Sequence, residues 1–163
     1  MQKKVLLVGI DESHASFYSL EWAIDHLLAP DPPNSIFKLV LVHVKLPALS
    51  ILRVSGPGIG GDILPTVEAD LKKTAAVVTD KAKELCKRKS VINFHVEIVE
   101  GDARNALCQA VEKYHADILV VGSHGHGAFR RAILGSVSDY CAHHAHCTVM
   151  IVKKPKNKEN HSN

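Results

Sequence analysis

Short apolar runs alternate with amphipathic stretches along the chain, and this alternation predicts its secondary structure. Residues 5–10, 37–44 and 118–121 are almost continuously apolar, which is typical of parallel strands buried on both faces. Residues 93–99 alternate between two sets of positions, which predicts a more exposed strand nearer a sheet edge. A short β-rich segment at 148–152 predicts the last strand.

Apolar positions with helical spacing predict helices at residues 16–28, 66–89, 103–114 and 136–145. Residues 45–65 contain seven glycines and prolines and have no usable period, which predicts a long loop. The alternation predicts an α/β fold, a five-stranded doubly wound parallel sheet with helices on both faces. We expect one domain over residues 1–153 and a polar, disordered tail at 154–163.

Composition narrows the class of protein. A chain of 163 residues with 46% apolar content can form one domain with a sizeable core, and its net charge of +3 is too small to indicate a nucleic-acid partner. No run is long and apolar enough to span a bilayer, so we expect a cytoplasmic protein. The cysteines lack Cys-x-x-Cys spacing, so we expect buried or free thiols at Cys86, Cys108, Cys141 and Cys147.

The segment after the strand at 118–121 carries the strongest functional signal. It reads Gly122-x2-Gly125-x9-Gly135-Ser136, a glycine-punctuated loop that leads into a predicted helix. Backbone N–H groups from such turns and from the start of a helix form anion sites, and Arg130 adds a cation to the same loop. We expect each glycine either to adopt a positive φ or to leave room for a ligand.

The predicted topology places this loop opposite the end of the first strand. Ligands of open α/β sheets bind beyond the carboxyl ends of the strands, where the strand order reverses. If the first and fourth strands flank the reversal, the loops after Ile10 and Val121 face one crevice. Asp11 could then accept hydrogen bonds from a ribose diol; alternatively, it caps the first helix, although Ser13 can supply that cap.

The glycine spacing resembles the nucleotide-binding branch of the universal stress proteins, whose motif is Gly-x2-Gly-x9-Gly followed by Ser or Thr. The resemblance extends over residues 4–153, and the Val-Ser-Asp-Tyr-Cys-Ala-His-His-Ala run is most similar to single-domain plant members. It implies a Rossmann-like fold of the adenine nucleotide α-hydrolase type that binds ATP or AMP, with or without Mg²⁺. It also implies a homodimer, and the short strand at 148–152 would leave unpaired backbone groups at a sheet edge unless it paired with its own copy.

The resemblance also implies a set of binding residues. On the nucleoside side these are Gly9, Ile10, Asp11, Val44, Val121 and Gly122. On the phosphate side they are Gly125, Gly135, Ser136 and Val137, and we expect Ser123, His124, Arg130 and Ser138 to belong to the same site. Ser136 has a second interpretation, because with Asp139 it matches a capping box that would start the helix with or without a ligand.

The residues also suggest two other kinds of site, a metal site and the active site of a slow ATP hydrolase. The histidines and cysteines that could form a metal site are His124, His126, Cys141, His143, His144, His146 and Cys147. His143, His144 and His146 do not share the i, i+4 face that a helical metal pair needs, so we expect no metal site. A slow ATP hydrolase with His124 or His126 as the base is also disfavoured, since no positioned lysine, nucleophile pair or paired acid is evident.

The favoured function is a nucleotide-binding regulatory protein of the stress response that changes its affinity for other proteins when loaded. The alternative is an interaction module or holdase that works without nucleotide and relies on residues 45–65.

Overall fold

Five parallel strands form the central sheet: β1 (Lys4–Ile10), β2 (Phe37–Lys45), β3 (Phe94–Glu100), β4 (Ile118–Gly122) and β5 (Thr148–Val152). The computed structural model describes residues 2–54, 56, 63–123 and 135–155. The strand order is β3-β2-β1-β4-β5, so the order reverses between β1 and β4. This confirms both the predicted sheet and the strands predicted to flank the reversal.

The helices are α1 (His14–Ala23), α2 (Ala48–Val54), α3 (Leu64–Arg88), α4 (Ala103–Tyr114) and α5 (Ser136–His144). Buried side chains of α1 and α3, such as Leu20 and Val78, pack on one face of the sheet with Leu6. Those of α4 and α5, such as Leu107 and Cys141, pack on the other face. Helices therefore cover both faces, as a parallel sheet of apolar strands requires.

The first predicted helix is displaced at its start and changed at its end. Residues 16–28 were predicted, but α1 begins at His14, directly after its N-cap Ser13. The last turn, Ile24–Leu28, is a π-helix, and a 3₁₀ turn follows at Pro32–Asn34. A hydrophobic spacing near 3.6 does not distinguish an α-helix from one π-helical turn, so the sequence pattern could not detect this change.

The predicted loop at residues 45–65 is wrong in part. The segment Ala48–Val54 is the short helix α2, and α3 begins at Leu64 rather than at residue 66. Pro65 is one of the residues that predict the loop, but it lies in the first turn of α3, where a missing N–H group breaks no helical hydrogen bond. Residues 57–62, which carry most of the glycines, lie outside the described part.

Both edges of the sheet match their predictions. β3 is an edge strand of intermediate and exposed residues, and Ile98 on it is 48% exposed. β5 is the other edge strand. None of the described helices is both long and apolar enough to cross a membrane.

The four cysteines are free thiols, which confirms the expected state. Cys86 and Cys141 are buried, whereas Cys108 and Cys147 are partly buried. Burial raises the pKa of Cys86 and that of Cys141 to about 12. These two thiols therefore remain protonated at neutral pH.

A polar cluster joins the edge strand β3 to the last turn of α4. The Lys113 ammonium donates to Glu97 Oε1 at 2.6 Å, and the Tyr114 hydroxyl donates to Glu97 Oε2. These hydrogen bonds lower the pKa of Glu97, with that from Lys113 contributing most. The cluster therefore stabilises the fold while Glu97 is ionised.

We expect Glu97→Gln to lower the free energy of unfolding by about 1 kcal/mol at pH 7. The folded-state pKa of Glu97 lies below its ordinary value of 4.5. The contribution of Glu97 to the free energy of unfolding is therefore fully present above pH 4.5, and it is lost as pH falls through the folded-state pKa. Urea unfolding at several pH values should show that the variant loses less stability on acidification than the wild type. Tyr114→Phe should be non-additive with Glu97→Gln; additive losses and an unchanged acid profile would contradict this assignment.

Candidate functional site

A crevice opens between β1 and β4 at the carboxyl edge of the sheet. The pairing of these two strands ends at Val8↔Val120. Beyond that point, β1 stays paired with β2 as far as Ile10↔His43, and β4 stays paired with β5 as far as Gly122↔Val152. The two central strands therefore separate at the topological switch point, where open α/β sheets bind their ligands.

The predicted site residues lie around this edge wherever the structure describes them. Gly9, Ile10 and Asp11 end β1 or follow it, and Val44 lies near the end of β2. Val121, Gly122 and Ser123 occupy the corresponding place on β4, and Gly135 precedes α5, whose first residues are Ser136, Val137 and Ser138. Three predicted residues, His124, Gly125 and Arg130, lie outside the described part.

Asp11 is held in place by two serines at the start of α1, the N-cap Ser13 and the helical Ser16. Its Oδ1 accepts hydrogen bonds from the Ser13 N–H at 2.8 Å and from the Ser13 hydroxyl. Its own N–H donates to Ser16 Oγ at 2.9 Å, and the Ser16 hydroxyl donates to the Asp11 carbonyl at 2.9 Å. Within the described residues, no donor contacts the other carboxylate oxygen, Oδ2. The geometry therefore fixes the carboxylate and leaves one oxygen to accept from a ligand.

The cap of α1 is Ser13 rather than Asp11. The Ser13 hydroxyl oxygen accepts the Ser16 N–H at 3.2 Å, which is the bond of an N-cap. This confirms that Ser13 supplies the cap, and the alternative in which Asp11 itself caps the helix is wrong. The Asp11 carboxylate instead orients Ser13, which caps the helix.

The glycines at the ends of β1 and β4 allow helices to approach the sheet closely. A Cβ on Gly9 would lie 3.2 Å from Leu107 Cδ1 of α4, and one on Gly122 would lie 2.8 Å from the Ala15 carbonyl oxygen of α1. Gly122 and Gly135 do not have the positive φ that was one of the two expected reasons for glycine. For Gly122 the observed reason is contact with the backbone of α1.

The start of α5 is joined directly to the end of β4. The Gly135 N–H donates to the Ser123 carbonyl at 2.7 Å, and the buried Ser138 hydroxyl donates to the Gly135 carbonyl at 2.9 Å. The first helical backbone bond runs from the Asp139 N–H to the Gly135 carbonyl. The preceding N–H groups of α5 have no intrahelical acceptor, and such groups at a helix N-terminus bind anions.

The predicted capping box at Ser136 is wrong. Gly135 is the N-cap of α5 and has no side-chain cap bond, so Ser136 is the first helical residue. The Ser-x-x-Asp spacing is therefore one position too late for a capping box. The Ser138 hydroxyl is occupied by protein carbonyls, which leaves its N–H as the group available to a ligand.

Two residues of the site were not found from the sequence. His43 on β2 is 5% exposed, and its Nδ1 lies 2.9 Å from the Ile10 carbonyl oxygen. Ser16, which bonds the backbone of Asp11, is 6% exposed. A polar residue within a fully buried strand, such as His43 after the Leu-Val-Leu-Val run, must have a hydrogen-bond partner, and that was the available signal.

The histidines considered for a metal site have other partners where they are described. The Nδ1 atoms of His143 and His144 lie 2.8 and 2.9 Å from carbonyl oxygens one turn earlier in α5. His146 Nδ1 lies 2.6 Å from Glu112 Oε1. Among residues 2–54, 56, 63–123 and 135–155, no three His, Cys, Asp or Glu side chains form a group that could hold a metal ion. His124 and His126 are not among the described residues.

Comparison with known proteins gives the family. Residues 3–153 match the sequence model of the Universal stress protein family. The chain is 29% identical over 168 residues to the Universal stress protein PHOS34 of Arabidopsis thaliana, an alignment that covers 93% of this chain. The chain spans only 62% of the length of that relative. A plant relative agrees with the predicted resemblance to plant members.

Solved structures share the fold. A universal stress protein family protein from Arabidopsis thaliana with AMP bound has a TM-score of 0.67 and 21% identity, covering 98% of this chain and 97% of its own. A universal stress protein in complex with cAMP has a TM-score of 0.61 and 21% identity, covering 93% and 98% respectively. Because the family model matches residues 3–153, which contain every described strand and helix, the chain belongs to the universal stress protein family.

Proposed function

We propose that this chain binds an adenine nucleotide, ATP or AMP, between β1 and β4 and acts as a homodimeric regulatory switch in stress responses. The observation that carries the proposal is that β1 and β4 separate beyond Val8↔Val120, with a fixed carboxylate directly after β1 and a helix N-terminus in the chain that follows β4. Relatives of the same fold have AMP or cAMP bound, which supports an adenine nucleotide as the ligand class.

The two sides of the crevice suit the two ends of a nucleotide. Asp11 Oδ2 would accept a hydrogen bond from a ribose hydroxyl, and the main chain of Val44 would meet the adenine edge. The N–H groups of Ser136, Val137 and Ser138 would hold phosphate oxygens. Gly125, His124 and Arg130 would complete the phosphate side. Mg²⁺, where present, would be held by the phosphates with Asp139, which lies in the first turn of α5.

Binding rather than hydrolysis is the favoured activity. Hydrolysis needs a base that is aligned with the attacking water. Asp11 Oδ1 already accepts two hydrogen bonds from Ser13, and Oδ2 is the atom proposed to accept from the ribose, so this carboxylate has no oxygen left to act as that base. A nucleotide held without rapid turnover is suited to a switch that other proteins read.

The edge strand β5 is the proposed dimer contact. Pairing β5 with its own copy across a two-fold axis would satisfy the backbone groups on its free side. We expect light scattering at micromolar concentration to give twice the mass of a single chain. A single-chain mass under those conditions would contradict the dimer.

The test of the ligand is an equilibrium titration of the nucleotide-stripped full chain with AMP, with ATP and Mg²⁺, and with GMP as the control base. Saturable binding of an adenine nucleotide, and weaker binding of GMP, is the expected result. A folded protein that binds none of the three would contradict the proposal and favour the interaction module that needs no nucleotide. A specific observation would support that alternative: Leu46, Leu49 and Val54 are exposed apolar side chains in or beside α2.

A further inference from the structure

The peptide unit between Ile10 and Asp11 is held at both ends by buried side chains. Its carbonyl oxygen is 2.9 Å from His43 Nδ1, and its N–H lies 2.9 Å from Ser16 Oγ. A carbonyl can only accept, so Nδ1 carries the proton and donates. Because a peptide unit is planar, fixing its oxygen and its N–H fixes the orientation of the whole plane.

The two clamping groups come from different elements. His43 belongs to β2 and is in register with Ile10, whereas Ser16 belongs to α1. The Ser16 hydroxyl also donates to the Asp11 carbonyl, so the backbone is held on both sides of the Asp11 Cα. The direction of the Asp11 carboxylate is therefore set by β2 and α1 together.

Packing alone does not account for a histidine at this position. His43 lies in a strand whose preceding residues, Leu39 to Val42, are all nearly fully buried and apolar. A leucine there would fill space without the cost of burying a polar ring, which is offset only when the ring is hydrogen-bonded. His43 also directly precedes Val44, the residue proposed to meet the base. The imidazole therefore links the base side of the crevice to the ribose side.

We infer that His43 is a positioning residue for the nucleotide site, acting with Ser16 to aim the Asp11 carboxylate at the ribose. This inference rests on the proposed function. Without the donor from His43, the Ile10–Asp11 peptide can rotate, and part of the ordering of Asp11 must then occur when the ligand binds. Ordering on binding weakens affinity, whereas a preorganised group does not require it.

The test compares two substitutions of His43 in the full chain. His43→Leu places an apolar side chain of similar length at this position and removes the donor. The Kd for AMP should therefore rise about tenfold, the effect of losing one hydrogen bond. His43→Asn retains an N–H donor near the position of Nδ1, so its Kd should stay within about threefold of the wild type. A merely structural role would not give this rescue by asparagine. Equal Kd values for wild type and His43→Leu would overturn the inference.

Ser16→Ala removes the hydroxyl that holds the other end of the Ile10–Asp11 peptide unit. It provides a second test if His43→Leu does not fold. It should also raise the Kd, and its effect should be non-additive with that of the histidine substitution. An unchanged Kd in Ser16→Ala would overturn the inference. In unliganded wild-type protein, long-range ¹H–¹⁵N spectra should show the Nδ1–H tautomer of His43, and the Nε2–H tautomer would overturn the inference.

The outcome for wild type separates the two proposals. If wild-type protein binds AMP and both variants bind it equally well, only the role of His43 fails. If wild-type protein is folded and binds no adenine nucleotide, the proposed function fails and the role of His43 fails with it.

Discussion

Replacing Gly122 with alanine should lower the free energy of unfolding by about 2 to 3 kcal/mol, the upper part of the cost that is typical of an overpacked core. The new Cβ would lie 2.8 Å from the carbonyl oxygen of Ala15 and 2.9 Å from its carbonyl carbon. These are backbone atoms of α1, so the clash cannot be relieved by turning a side chain. Either α1 moves away from β4 or the end of β4 bends.

Gly9→Ala is the matched control for this prediction. Its Cβ would meet the two terminal methyl groups of Leu107 at 3.2 and 3.3 Å, and a leucine side chain can shift by a few tenths of an ångström. We expect a loss of about 1 kcal/mol or less. Urea unfolding of both variants measures the difference. Equal losses for the two, or no loss for Gly122→Ala, would show that α1 does not depend on glycine at this contact.

Removing the carboxylate of Asp11 should weaken binding of an adenine nucleotide by about 10- to 100-fold, the effect of one hydrogen bond to a charged group. Asp11→Ala removes both the ligand acceptor Oδ2 and the acceptor that holds Ser13. Asp11→Asn keeps an oxygen that can accept the Ser13 N–H, now bonded to Oδ1 at 2.8 Å. Titration of both variants should therefore give a smaller loss for asparagine than for alanine.

Stability must be measured beside affinity in this series. The Asp11 carboxylate helps to start α1 through Ser13, so Asp11→Ala should also unfold at a lower urea concentration. Ser13→Ala removes the cap without touching Oδ2 and is the control. Affinity that falls as far in Ser13→Ala as in Asp11→Ala would contradict a direct contact between Asp11 and the ligand.

The sheet could be predicted from sequence because its strands are unusually apolar. Most residues of 5–10 and 37–44 are buried, as expected for strands of a parallel sheet that helices cover on both sides. The edge position of β3 was predictable because its residues alternate between two sets of positions, which is typical of a strand that is partly exposed. The full strand order was not predictable, because right-handed crossovers allow more than one doubly wound order. Only the supposition that β1 and β4 flank the reversal preceded the structure.

Local sequence patterns gave wrong predictions, or none, where contacts between distant parts of the chain or short elements determine the structure. The α2 segment, Ala48–Val54, is too short for its periodicity to stand out between prolines and glycines. The reason for Gly122 is the approach of Ala15 from a distant part of the chain, which no local pattern encodes. Ser136 fits a capping box in sequence, but the bond between Gly135 and Ser123 moves the cap one residue earlier.

The candidate site was predictable only in outline. Asp11 and the start of α5 follow from the rule that ligands bind where the strand order reverses. His43 and Ser16 do not, because their roles depend on which backbone atoms lie opposite them once β1, β2 and α1 have packed. The sequence signal for such roles is a polar residue inside an apolar run, because its buried polar atoms need hydrogen-bond partners.

The most direct test of nucleotide binding at this crevice is isothermal titration of stripped wild-type protein and of Gly135→Val with ATP and Mg²⁺. Gly135 has φ −60° and ψ 154°, which valine can adopt without backbone strain, and we expect a branched side chain at this N-cap to keep a phosphate from the N–H groups that begin α5. Ala103→Val, at the start of α4, controls for valine at a helix start. Saturable binding by wild type and Ala103→Val, and its loss in Gly135→Val, is the predicted result. Equal binding by all three would contradict a phosphate site at the start of α5.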